Sequence, residues 1–179
     1  TVPTMKQTSK ILLISLVLFV SVGCDQATKA IARQQLAGAP TKTYLGDTFR
    51  LQYIENTGAF LGLGASLPPA LRFWIMVALV GTAVTGMLIY VLKTRDLSFL
   101  GILGWSLVIG GGLGNLIDRI LNDGAVVDFM NLGLGRLRTG IFNIADVAVM
   151  LGLGIALLDL FVEGQKQEGA SARVERNGP

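Results

Sequence analysis

Four aspartates stand in unusual company in this chain. Asp25 precedes Lys29 by four positions, Asp118 follows Asn115 by three and adjoins Arg119, and Asp146 follows Asn143 by three. Spacings of three and four put the members of each set on one side of a helix. The fourth acid, Asp128, sits between apolar neighbours in Val127-Asp128-Phe129. Two carboxylates brought close together cannot both ionise cheaply, so one holds a proton while the other stays charged. The charged member can take a proton from water. The protonated member can polarise a carbonyl and later give its proton to a leaving amine. The chain has no histidine and a single cysteine, Cys24, which excludes Ser-His and Cys-His nucleophiles and most zinc sites. Carboxylate-driven hydrolysis needs neither metal nor cofactor, and none is expected. Spacing alone leaves open which of Asp25, Asp118, Asp128 and Asp146 do the chemistry.

Composition says what must hold these residues in place. Of 179 residues, 51% are hydrophobic and only 15% charged, against about 25% charged in soluble domains, which points to lipid. The net charge of +3, with no basic cluster interleaved with aromatics, argues against nucleic acid as a partner. Residues 73–92 and 97–117 carry no charge at all and are long enough to span a hydrocarbon core. Two further segments span if they carry acids near one membrane face: Ile11–Cys24 running on into Asp25, and 141–162 with Asn143 and Asp146 at its start. The expectation is a mostly α membrane protein, one domain over 5–163, with spans at about 11–32, 71–92, 97–117 and 141–162. The loops are 33–70 and 118–140. Within the first, Thr41–Ile54 alternates like short strands until Pro68-Pro69 stops it. Residues 164–179 read as a disordered tail, and Thr1–Thr4 ahead of Met5 as a non-native extension.

In a hairpin of four spans, the ends of spans one and three and the starts of spans two and four share a face. Asp25, Lys29, Asn115, Asp118, Arg119, Asn143 and Asp146 all fall there, with Asp128 in the loop between. Ionisable groups at membrane depth are costly and mark function, although Asp25–Lys29 is equally readable as a structural pair. Cations number seven on the side of the termini and eight on the other, so the positive-inside rule turns on the short flanks and the 93–96 turn, which favour cytoplasmic termini.

At these residues the chain resembles the signal peptidase II family of lipoprotein signal peptidases. The matching pieces are Asp25-Gln26-Ala27-Thr28-Lys29, Glu55-Asn56-Thr57-Gly58-Ala59-Phe60, Gly114-Asn115-Leu116-Ile117-Asp118-Arg119, Val127-Asp128-Phe129 and Phe142-Asn143-Ile144-Ala145-Asp146. They run in the family's order across all four spans. The resemblance implies a multi-pass protein of the bacterial inner membrane, with cytoplasmic termini and an active site near the outer face. It implies Asp128 and Asp146 as the catalytic dyad, with Asn56, Asn115, Asp118, Arg119 and Asn143 lining or bracing it and Asp25 and Lys29 in support. Residues 33–70 would form an extracytoplasmic β-cradle resting on the membrane. The substrate would be a prolipoprotein with a diacylglyceryl-modified cysteine, cut just before that residue. Membrane lipid is the other partner, and the protein is expected to work as a monomer.

Other features have plainer readings. The glycines of span three, among them Gly110, Gly111, Gly112 and Gly114, let helices approach closely, and near Gly111 could leave room for a peptide or acyl chain. Ser21-Val22-Gly23-Cys24 mimics a lipobox, but three later spans favour Cys24 as a small buried residue. Asp159 and Glu163 read as solvated charges at the other membrane face, Asp47 and Asp123 as loop charges, and Trp74, Trp105 and Tyr90 as packing or belt residues. A transporter would spread acids through the membrane depth, whereas here they cluster at one face. A membrane assembly factor gives no reason for two Asn-Asp pairs facing a third acid. A Ser-Lys protease lacks a serine beside Lys29.

Overall fold

The computed structural model describes residues 5–58 and 68–176, with backbone alone for 166–168 and 170–176. The Thr1–Thr4 extension and the Ala59-Phe60 end of the Asn56 segment lie outside the described residues. Lipid offers no water to backbone amides, so an apolar run must satisfy its own groups as a helix. Four do so: α1 (Gln7–Leu36), α2 (Pro69–Lys93), α3 (Phe99–Leu121) and α4 (Ile144–Arg176). Each contains a stretch long and apolar enough to cross a membrane, as expected. A small sheet of β1 (Lys42–Tyr44), β2 (Phe49–Asn56), β3 (Val126–Leu134) and β4 (Leu137–Arg138) completes the fold.

Helix α3 is the hub, packing on α1, α2 and α4. Half of its most apolar window is buried, against 17–28% for the other three. Glycine makes this possible. A Cβ on Gly104 would lie 2.8 Å from the carbonyl oxygen of Gly152, and one on Gly152 would lie 2.8 Å from the amide nitrogen of Val108. The two helices therefore touch backbone to backbone, the close approach that small residues allow in membranes.

The helix ends away from the acid cluster are tied by polar groups. Ser98 caps α3, accepting from Gly101 N–H at 2.9 Å, and donates to Asp159 of α4 at 2.5 Å. Asp159 is thus buried at 6% exposure and is not the solvated charge expected. A serine hydroxyl one turn from Gly101 gives its carboxylate a partner that water would otherwise supply. Lys10, equally buried, donates to the Thr94 carbonyl at the C-terminus of α2 at 2.6 Å, where a cation meets the negative end of the helix dipole. Cys24 is also a correction: it is exposed, on the outward stripe of α1 with Val20 and Ile31, because Asp25 takes the inward position beside it. Helix α4 continues to Arg176, through the stretch read as a disordered tail. Its Gln, Lys, Glu and Ala content there is that of good helix formers.

All pairings in the sheet are antiparallel, in the order β1-β2-β3-β4. The 118–140 segment, expected as a loop, therefore carries two strands. The start of β3 is buried on both faces, which erases the alternation by which a half-buried strand is read. One face, Val127 and Phe129, packs on Ala32 and Leu36 at the C-terminal end of α1. Successive side chains on a strand point opposite ways, so Asp128 faces away from that apolar cluster. Phe142 pairs with Met130 through bonds of 2.8 and 2.9 Å in opposite directions. That bridge delivers the next residue, Asn143, to the side of Asp128.

Candidate active site

The four aspartates fall into two separate environments. Asp25 and Asp118 surround one lysine. Lys29 Nζ lies 2.8 Å from Asp25 and 3.2 Å from Asp118, and all three side chains are at most 1% exposed. Gln26, which spacing did not single out, donates to both at 3.1 and 3.0 Å. Backbone amides complete both carboxylates. Asp25 accepts the Ala145 N–H in the first turn of α4 at 2.9 Å, and Asp118 accepts the Val127 N–H of β3 at 2.9 Å. Buried ions survive only when paired and hydrogen-bonded to this degree. Their placement joins α1 to α3, α4 and the sheet, so this is a structural lock. The polar Gln26 inside a span was the available signal for it.

Asp128 and Asp146 form no ion pair among the described residues. Asp128 accepts from Asn143 Nδ2 at 2.7 Å and from Asn56 Nδ2 at 3.0 Å. Asp146 accepts from Asn115 Nδ2 at 2.9 Å and from the Asn143 backbone N–H at 3.1 Å. Asn143 therefore bonds both acids, one through its side chain and one through its main chain. Its own Oδ1 accepts the Asp146 N–H at 3.0 Å. That reciprocal pair is a capping box at the start of α4, with Asn and Asp in the places usually taken by Ser or Thr and Glu or Gln.

The amides are oriented by the lock beneath them. Asn115 Oδ1 accepts from Lys29 at 2.9 Å and from Asn143 at 3.0 Å, which leaves its Nδ2 to face Asp146. Asn56 Oδ1 accepts the Gly58 N–H at 3.0 Å, which turns its Nδ2 to Asp128. Asn56 arrives there because β2 pairs with β3, with Asn56 opposite Val126 and Ile54 opposite Asp128. Arg119 spans from α3 to the segment after β2, donating to the carbonyls of Asn115 and Gly58 at 3.3 Å each. Gly111 faces α4, where a Cβ would strike the Ala145 carbonyl. The room beside it is filled by that helix, so its contribution is to let α3 and α4 approach one turn below the acids.

Burial holds the Asp128 carboxyl well above the ordinary aspartate range, at about 6. The hydrogen bonds from Asn56 and Asn143 and the charge of Lys29 pull it down, and the charge of Asp146 pushes it further up. A carboxyl that shares a buried site with a second acid, and is held by neutral amides, can exchange a proton near neutral pH. Asp25 and Asp118 are instead ion-paired with Lys29. Two carboxyls bonded to the same asparagine are thus set beside the lysine-centred lock.

Comparison with known proteins agrees with this geometry. A family model described as signal peptidase (SPase) II matches residues 17–162, which takes in both acid pairs and all four spans. The chain is 33% identical to a lipoprotein signal peptidase of Brevibacillus brevis over 84% of its own length and 96% of that protein's. It is 37% identical to one of Clostridioides difficile, over 85% and 97%. A solved bacterial membrane enzyme superposes with a TM-score of 0.69 at 23% identity, covering 89% of this chain and 91% of the other, so the fold is shared as well. With the match running unbroken from the middle of α1 into the body of α4, the chain belongs to the signal peptidase II family.

Proposed function

We propose that this protein is an aspartic endopeptidase of the bacterial inner membrane that removes signal peptides from prolipoproteins, with Asp128 and Asp146 as its dyad. The observation that carries the assignment is the separation of the four aspartates. Two are ion-paired with Lys29, and two are held by the amides of Asn56, Asn115 and Asn143.

In this reading Asp146 is the charged member and Asp128 the protonated one. Asp146 takes a proton from the attacking water, and Asp128 donates to the scissile carbonyl as it becomes tetrahedral. As the C–N bond breaks, the proton taken by Asp146 goes to the departing amine nitrogen and Asp128 takes one back from a hydroxyl of the tetrahedral carbon, whose carbonyl re-forms, which restores the pair. Asn143 keeps the two carboxyls at a set spacing throughout. A lipoprotein precursor is the substrate class that accords with the names of the relatives; in this proposal it carries a diacylglyceryl cysteine and is cut just before that residue. The dyad lies at the end of the bundle where the sheet packs, which becomes the extracytoplasmic face if the termini are cytoplasmic. Every group named comes from one chain, so a monomer suffices.

The test is cleavage of a lipid-modified prolipoprotein by Asp128→Asn and Asp146→Asn. Each should lose about 10²–10⁴-fold or more in rate while inserting normally. Near-normal processing by either variant overturns the dyad.

A further inference from the structure

Behind the sheet, on the face opposite Asp128, lies a second feature that the proteolytic reading leaves unused. An open pocket of about 250 Å³ sits between the outer end of α1 and strands β1 to β3. Its walls are Ile31, Ala32, Leu36, Leu51 and Phe129, and its polar members include Gln35 and Lys42. Ile31 is 59% exposed at this pocket. A volume just under that of drug-sized sites, about 300–1,000 Å³, takes a segment of a single hydrocarbon chain, and the open side leaves the rest in the bilayer.

Depth and charge say which chain. From Lys10 to Leu36, α1 rises about 39 Å at 1.5 Å per residue, beyond the roughly 30 Å of hydrocarbon, so its last turns stand at headgroup level. The cations on the sheet are unequally committed. Arg50 and Arg138 both bind Asp47, whereas Lys42 forms no ion pair with a carboxylate among the described residues. An apolar slot with one uncommitted ammonium beside it, at the boundary of acyl chain and headgroup, matches an anionic phospholipid. We propose that the pocket holds one acyl chain of a membrane phospholipid, with the lipid phosphate on Lys42. The wall of Val127 and Phe129 separates this chain from Asp128, so the occupant is bulk lipid and not the acyl group of a substrate.

The test needs no substrate. The intact protein is reconstituted with phosphatidylglycerol carrying a diazirine in one acyl chain, irradiated and mapped by peptide mass spectrometry. Tight lipid retention is read in parallel by native mass spectrometry. Cross-links to residues 31–36, Leu51 or Phe129 are expected. Retention should fall at least fivefold in Ala32→Phe, which fills the slot, and several-fold in Lys42→Glu, which reverses an exposed charge without touching the core. Unchanged retention in both variants overturns the site. So does equal retention of phosphatidylglycerol and phosphatidylcholine by the parent protein, or labelling of the pocket by a diazirine-bearing prolipoprotein in place of phospholipid.

Discussion

Asn143 and Asp146 hold each other: the Asn143 side-chain oxygen accepts the Asp146 N–H at 3.0 Å, and the Asp146 carboxylate accepts the Asn143 N–H at 3.1 Å. A helix cap and a candidate catalytic acid are thus one device, and the amide nitrogen of the same asparagine reaches Asp128. Asn143→Ala should therefore lose stability and activity together. The cap costs about 1 kcal/mol, and a buried Asp128 oxygen left without its donor about 1–3 kcal/mol more. Thermal unfolding in detergent reads the two stability costs together, and prolipoprotein cleavage reads the loss of activity. A variant that unfolds at the parental temperature would show that the capping box does not support α4.

Lys29→Met leaves Asp25 and Asp118 buried around an uncharged chain. Removing one partner of a buried ion cluster costs about 3–5 kcal/mol, so this variant should be severely destabilised although it lies outside the proposed dyad. Adding Asp118→Asn to it should recover part of the loss, because one stranded charge disappears. Chemical denaturation of the single and double variants checks both signs.

The Asp128 carboxyl sets a pH dependence. Its folded value of about 6 lies above the ordinary 3.8, so between those two pH values the folded protein keeps a proton that the unfolded chain has released. Stability then falls as pH rises through this window, by up to about 3 kcal/mol in all. Asp128→Asn should flatten the fall. Infrared difference spectra should show a protonated carboxyl band that fades with a midpoint about 6 and is missing from Asp128→Asn. An unchanged pH slope in that variant would assign the dependence elsewhere.

Gly104→Ala and Gly111→Ala both place a methyl against the backbone of α4, Gly111 a turn below the acids and Gly104 about two turns further along α3. Overpacking of this kind costs about 1–3 kcal/mol. Both should lower the unfolding temperature. Gly111→Ala should in addition lower kcat, because Ala145 and Asp146 move with the displaced helix. Equal kcat loss in the two variants would mean that the site responds to helix packing as a whole.

The spans were readable because hydrocarbon demands long uncharged runs, and the acid-bearing face followed from hairpin geometry alone. Which acids pair was not readable: Lys29 chooses Asp118 across the depth of the bundle, and no local spacing records that. β3 was missed because Val126–Phe129 is covered on both sides, so its polar residue marks a site and breaks the pattern of a strand. Asp159 and Cys24 were misplaced for related reasons. A serine on another helix buries the first, and the inward turn of Asp25 exposes the second.

The glycine contact between α3 and α4 gives the active site a dimension independent of side-chain choice. Where Gly104 and Gly152 touch, the separation is fixed by the thickness of two peptide backbones, which no rotamer change can alter. Asn115 hangs from one helix and Asp146 from the other, and the 2.9 Å bond between them spans a gap gauged in this way. The lipid-facing surface is consequently free to vary with the membrane around it, while the span that the short asparagine side chain must bridge stays the same.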